Sequence, residues 1–215
     1  MSDGPTMPPS DHEQARRHYD RHGFVHLTGL IPQELAIFLA RYVLLSERLG
    51  RFAEDNAQVP GSSVGYGDPA FETLLEVVGP SVGDLLGLRL APTYSFIRLY
   101  KEGQALEPHR DRPACEHSVT LHLGGDGDEW PLFLQLGDDE PASWTQGIGD
   151  ATVYRGCDVL HWRRPFSGMW YAQVFLHFVD MDGEHRGELL DGREAIGMPS
   201  NRSERLADSR PAVGP

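Results

Sequence analysis

Residues 94–100 read Tyr94-Ser-Phe-Ile-Arg-Leu-Tyr100. In an extended chain Tyr94, Phe96, Arg98 and Tyr100 fall on one side, and Ser95, Ile97 and Leu99 on the other. This period-two alternation predicts a strand with one apolar and one mixed face. The pattern recurs at Ser118, Thr120 and His122 against Val119, Leu121 and Leu123. It returns at Gln173, Phe175 and His177 against Ala172, Val174, Leu176 and Phe178. Between Leu88 and Val179 the alternation gives about seven or eight short strands, suited to a sandwich or barrel. No strand–helix units alternate there, which argues against a doubly wound sheet.

Working outward, the chain ahead of this region has helical character. Residues 1–9 hold three prolines and read as a flexible leader. Ser10 and Glu13 have capping-box spacing and open a helix through about Arg21, with Gly23 as its stop. Phe24-Val-His-Leu27 is strand-like. Pro32 starts a second helix that ends near Gly50. Residues 51–67, rich in Gly, Ser, Asn and Pro, read as a long loop of the kind that forms lids and binding loops. Asp68-Pro69 opens a third helix, and Pro80 to Leu86 reads as a short fourth. A single domain over 10–180 results, with helical support at 10–87 and a β core at 88–180. Residues 181–215 form a C-terminal extension, and 199–215 read as a disordered tail.

Composition narrows the partners. The 215 residues hold 19 Lys plus Arg and 32 Asp plus Glu, a formal charge of −13. Such a surface repels phosphate backbones and anionic lipid, so neither nucleic acid nor membrane is an expected partner. Cys115 and Cys157 cannot make a disulfide scaffold, and no apolar leader is present. A cytoplasmic protein is expected on that basis.

The chemistry concentrates in Glu107-Pro-His109-Arg-Asp111. On a strand, His109 and Asp111 point the same way and can grip one metal ion from one side. His161, in Gly156-Cys-Asp-Val-Leu-His161-Trp-Arg-Arg-Pro165, can supply a third ligand. Two imidazoles and one carboxylate on one face of an octahedral ion leave three positions open, the arrangement suited to non-haem Fe(II). His-Arg-Asp also occurs in kinase catalytic loops, but no Asp-Phe-Gly follows here. His117 and His122 lack a cupin-like His-x-His cluster and read as packing or pocket-lining residues. Cys115 and His177 read as structural.

With these residues in view, the sequence resembles the Fe(II)/2-oxoglutarate-dependent dioxygenases. Tyr100-x-x-Gly103 ahead of His109-x-Asp111 is similar to the prolyl-hydroxylase-like branch. So are Gly149-Asp150 before His161 and Pro165-x-x-Gly168 after it. Tyr19-x-x-x-Gly23-Phe-Val resembles the entry helix of the phytanoyl-hydroxylase-like branch. The resemblance implies a mainly β, α+β chain: a double-stranded β-helix (a cupin-like jelly roll) with N-terminal helices packed on one sheet. It implies Fe(II) held by His109, Asp111 and His161, 2-oxoglutarate as cosubstrate, and O2 as oxidant. The implied outcome is hydroxylation of a C–H bond in a small molecule, amino acid or peptidyl substrate, with release of succinate and CO2.

One departure stands out. The family places an Arg or Lys about ten residues after the distal histidine, to pair with the far carboxylate of 2-oxoglutarate. Here residues 169–173 read Met-Trp-Tyr-Ala-Gln, with no cation. Arg98, Arg163 and Arg164 are the candidate replacements, because an arginine fork matches a carboxylate. Tyr94 and Tyr100 are candidate hydrogen-bond partners of the cosubstrate. The missing cation also leaves two alternatives: a cupin-like metal enzyme that does not use 2-oxoglutarate, and a non-catalytic jelly-roll binding protein. Asp111 itself argues against halogenation, for which the resemblance implies a small residue in its place.

Overall fold

A computed structural model describes residues 9–127 and 129–198. The expected leader (apart from Pro9) and the expected tail at 199–215 lie outside the described residues, as does the Ser10 side chain on which the capping reading rests.

Three helices precede the β core: α1 (Pro9–His22), α2 (Gln33–Arg48) and α3 (Pro69–Leu86). Strand β1 (Phe24–Leu27) separates the first two. The expected loop at 51–67 instead contains a hairpin of β2 (Ala53–Asp55) and β3 (Ser62–Tyr66). Its pairing with the next strand, Val64 opposite Arg98 and Tyr66 opposite Phe96, supplies the order that its Gly/Ser-rich sequence lacks. The expected break at Pro80 is also absent, since α3 runs through it as one helix. Pro80 forfeits one backbone hydrogen bond. The buried stripe of Phe71, Leu75, Val78, Val82, Leu85 and Leu86 continues across it and keeps the helix whole. Asp68 caps its start by accepting the Ala70 N–H, and Gly87 ends it at φ 67°.

The core holds β4 (Leu90–Lys101), β5 (Leu106–His109), β6 (His117–Gly125), β7 (Leu132–Leu136), β8 (Ala142–Trp144), β9 (Ala151–Arg155), β10 (Val159–Arg163) and β11 (Trp170–Asp180). They form two antiparallel sheets. The large one runs β1-β9-β6-β11-β4-β3-β2, and the small one β5-β10-β7-β8. This is the jelly roll expected from the sequence.

Register decides what each face carries. Val174 lies opposite Ile97 and Leu121, and Leu176 opposite Ser95 and Val119. All but Ser95 join Leu39, Val43, Phe71, Leu75 and Val78 of the helices in one buried apolar layer. Gln173, Phe175 and His177 lie opposite Arg98, Phe96 and Tyr94 on one side, and opposite His122, Thr120 and Ser118 on the other. That second face looks across to the small sheet. It is polar where a core would be apolar, and uncompensated polar burial is costly, so this face marks a site.

The described part of the C-terminal extension, residues 181–198, packs against the core. A 3-10 turn at Arg186–Gly192 leads into a segment that docks on the large sheet through buried Asp191 and Arg193. Cys115 and Cys157 are both free thiols. No helix among the described residues is long and apolar enough to cross a membrane.

Candidate metal centre

Strand pairing brings the three expected ligands together. His161 on β10 lies directly opposite His109 at the end of β5. Their rings are 4.2 Å apart. Asp111 lies two residues beyond His109, and its Oδ1 is 3.6 Å from the Nε2 of each histidine. One ligand atom from each of His109, Asp111 and His161 falls within a 4.8 Å span.

The backbone fixes how each group points. His109 Nδ1 lies 2.8 Å from the Glu107 carbonyl, and His161 Nδ1 lies 3.0 Å from that of Val159. Each Nδ1–H therefore donates to a carbonyl, which leaves each Nε2 lone pair directed at Asp111. Asp111 is set by its own N–H, which donates to the Gly156 carbonyl at 2.8 Å. Ser118 Oγ is 3.1 Å from Asp111 Oδ2, so Oδ1 is left for the histidine side. Gly156 is required for this approach. A Cβ there would meet the Cys115 carbonyl at 2.2 Å and Asp111 Oδ2 at 2.6 Å.

The protonation states suit a divalent metal. Burial, reinforced by His161, lowers His109 to about 4. Burial likewise lowers His161 to about 4. Burial raises Asp111 to about 6, with His109 and Ser118 opposing. At neutral pH the set is two neutral imidazoles and one carboxylate, the forms that bind a metal. The two Nε2 atoms turned towards one carboxylate oxygen, and the donor chemistry of the set, fit Fe(II).

Two residues beside the ligands were not singled out from the sequence. Tyr154 hydroxyl lies 3.4 Å from His161 Nε2 and favours the ionised form of Asp111. Ser118 also reaches His177 Nδ1 at 2.9 Å. Their signal was the alternation itself, since both stand on inward positions. A second cluster, Asp111, Cys115 and His177, flanks the first. Its members are engaged already, Cys115 with Tyr94 Oη at 3.0 Å and His177 with Ser118.

The remaining candidates part company. Tyr94 is stacked on Tyr66 at 4.9 Å and its hydroxyl is taken by Cys115. Arg98 is neutralised by Asp55 of the β2–β3 hairpin, Nη2 to Oδ2 at 2.6 Å. Arg164 is exposed and lies over Phe133, its guanidinium carbon 4.8 Å from the ring centre. Arg163 is buried between the sheets, 4.6 Å over Trp130 and 5.2 Å from the Tyr171 ring. Tyr100 packs edge-on against the same Trp130 at 4.8 Å, and its buried hydroxyl has no hydrogen-bond partner among the described residues. His122 stands off the metal ligands, stacked on Tyr171 at 4.2 Å.

Comparison with known proteins places this geometry. No family model and no curated protein sequence matches the chain. Solved structures do. A Pseudomonas putida prolyl-4-hydroxylase superposes with a TM-score of 0.66 at 18% identity, covering 79% of this chain and 98% of its own. A prolyl hydroxylase from Trichoplax adhaerens, in complex with a hypoxia inducible factor peptide fragment, gives 0.68 at 15% identity, with 83% and 92% covered. SnoN, a non-haem α-ketoglutarate-dependent epimerase of nogalamycin biosynthesis, gives 0.65 at 14% identity, with 90% and 95% covered. The chain therefore has the double-stranded β-helix fold shared by the 2-oxoglutarate-dependent non-haem iron oxygenases.

Proposed function

We propose that this protein is an Fe(II)/2-oxoglutarate-dependent dioxygenase that oxidises a C–H bond of a small molecule, amino acid or peptidyl substrate. The observation that carries this reading is the convergence of His109 Nε2, Asp111 Oδ1 and His161 Nε2, each with its other polar atom already bonded. A purely structural histidine pair has no need of two lone pairs turned onto one carboxylate. When bound, iron with 2-oxoglutarate and O2 supplies the oxidising power, and succinate and CO2 leave.

The chain's own residues hold and screen that chemistry. His109, Asp111 and His161 bind the metal from one side and leave the opposite side open. Tyr154 and Ser118 orient the carboxylate and one imidazole. Half-buried Phe96 and Phe175, whose ring centres are 6.3 Å apart, wall the inner face of the large sheet. They exclude water from the reacting end of the site.

The test is spectroscopic and then catalytic. Adding Fe(II) and 2-oxoglutarate to the metal-free protein without oxygen is expected to produce the visible charge-transfer band of the chelate. Admitting oxygen is expected to give succinate, in larger yield with a true substrate. No band and no succinate under any condition would overturn the reading.

A further inference from the structure

We infer that Arg163, assisted by Tyr100, anchors the far carboxylate of 2-oxoglutarate, so that the anchoring cation sits on β10 instead of β11. This rests on the reading of the preceding section and specifies how the same site selects its cosubstrate.

A buried guanidinium normally stands against a carboxylate, because an uncompensated buried charge is costly. Arg163 is 2% exposed. Its acceptors are all neutral: the Trp130 carbonyl, Gln146 Oε1 at 2.9 Å and Gln173 Oε1 at 3.0 Å. No carboxylate among the described residues pairs with it. The other buried arginines differ. Arg98 has Asp55, and Arg193 has Glu72. Arg163 alone of the three sequence candidates is both buried and lacking an anion.

Three further observations point the same way. Arg163 is two residues past the ligand His161, and the two are buried on one face of β10. Two strand residues span about 7 Å, on the scale of a five-carbon diacid that chelates the metal at its keto-acid end. The Tyr100 hydroxyl is buried in the same aromatic cluster, beside Trp130, and has no hydrogen-bond partner among the described residues. It is a ready second donor. Finally, Arg163 contacts Gln173, which closes the 169–173 segment where the resemblance places the cation. Gln173 in turn bonds Thr120 and Gln146, a neutral polar network that keeps the buried groups around Arg163 satisfied.

The experiment titrates 2-oxoglutarate and pyruvate into the anaerobic Fe(II)-loaded full chain, reading the chelate band and the ligand-induced rise in melting temperature. Pyruvate offers the same chelating end without the far carboxylate. Wild type is expected to prefer 2-oxoglutarate strongly. R163Q is expected to lose about 100-fold or more in 2-oxoglutarate affinity while binding pyruvate as before. The exchange R163Q/Q173R puts the cation on β11 and is expected to restore most of the preference, which also shows that the site tolerates the change. Equal weakening of both ligands in R163Q, an unchanged preference in R163Q, or loss of the preference in Arg98→Gln instead would overturn the assignment. Absence of any band in wild type would sink the oxygenase reading itself, a different failure.

Discussion

Arg98 Nη2 and Asp55 Oδ2 lie 2.6 Å apart, and their side chains are 3% and 10% exposed. The pair ties the β2–β3 hairpin to the inner face of β4. Asp55 also accepts the N–H groups of Ala57, Gln58 and Val59, so one carboxylate organises the whole loop. Removing one partner leaves the other charge buried alone, which typically costs about 3–5 kcal/mol. Asp55→Ala is expected to lose roughly that much in urea unfolding. Arg98→Gln is expected to be destabilised while keeping the preference for 2-oxoglutarate over pyruvate. A stable Asp55→Ala protein would show that the pair is not a latch.

Metal affinity should follow Asp111. Burial raises its carboxyl to about 6, while His109 and His161 stay neutral down to about 4. Above pH 7 the ligand set is fully deprotonated, so affinity is expected to be flat. As pH falls through about 6, Asp111 takes up a proton that the metal must displace. Affinity is then expected to fall by up to about tenfold per pH unit. Calorimetric titration with Ni(II) between pH 7.5 and 5 checks this, and a curve flat to pH 5 would contradict it.

Gly156 controls the approach of Asp111. A side chain there would meet backbone and carboxylate at under 3 Å. Gly156→Ala is expected to displace Asp111 and weaken metal binding by at least about tenfold. Far-ultraviolet circular dichroism should show the β fold retained, because the displaced atoms lie in a turn and not in the apolar layer.

These sites differ in how legible they were. The strands β4, β6 and β11 were readable because each has one face against helices and the other against the site, which writes strict alternation into the sequence. The candidate ligands drew notice by the two-residue spacing of His109 and Asp111, but the expected shared strand is not what aligns them, since β5 ends at His109 and Asp111 is placed by the loop beyond it. The β2–β3 hairpin was not, because its order comes from pairing with β4 and its own residues have little strand preference. Nor was the continuity of α3 across Pro80, which burial on both sides enforces. The choice among Arg98, Arg163 and Arg164 was closed to sequence reasoning. It depends on Asp55, brought to Arg98 from a distant loop, and on which face of β10 each arginine takes.

The metal-free protein should be acid-labile. Burial lowers His109, His117, His122 and His161 to about 4 and His177 to about 3. In the unfolded chain each titrates near 6.5. Their contribution is full above pH 6.5 and is lost as pH falls towards 4. Asp111 opposes them, since its raised value favours the fold at low pH and that benefit disappears as pH rises through about 6. Five groups against one leave a net uptake of about four protons on unfolding near pH 5, worth at most roughly 5 kcal/mol per pH unit. Urea unfolding at pH 7.5 and 5.5 should therefore show markedly lower stability at 5.5, and the reverse order would refute the assignment of these histidines as buried and neutral.

The C-terminal segment is clamped by Glu72 and Arg193, whose side chains are 1% and 0% exposed and 2.8 Å apart. Glu72 also accepts the Ser95 N–H and hydroxyl, and Arg193 donates to the Thr93 carbonyl. Two residues earlier, Asp191 takes both Nη groups of Arg112, the residue next to the ligand Asp111, and the hydroxyl of Tyr66. Leu190 and Asp191 hold φ values of 55° and 54°, a conformation that a non-glycine residue keeps only when its surroundings enforce it. Releasing Arg193 should thus loosen Asp191 and, through Arg112, the metal site. Arg193→Ala is expected to cost about 3–5 kcal/mol, because it strands a buried carboxylate. Glu72→Gln with Arg193→Met removes both charges and should recover part of that stability. It should not recover the metal affinity if the segment stays undocked, so protease protection of residues 186–198 and Ni(II) binding should fail together in both proteins. Full metal affinity in Arg193→Ala, with the segment cleaved, would show that the clamp serves stability alone.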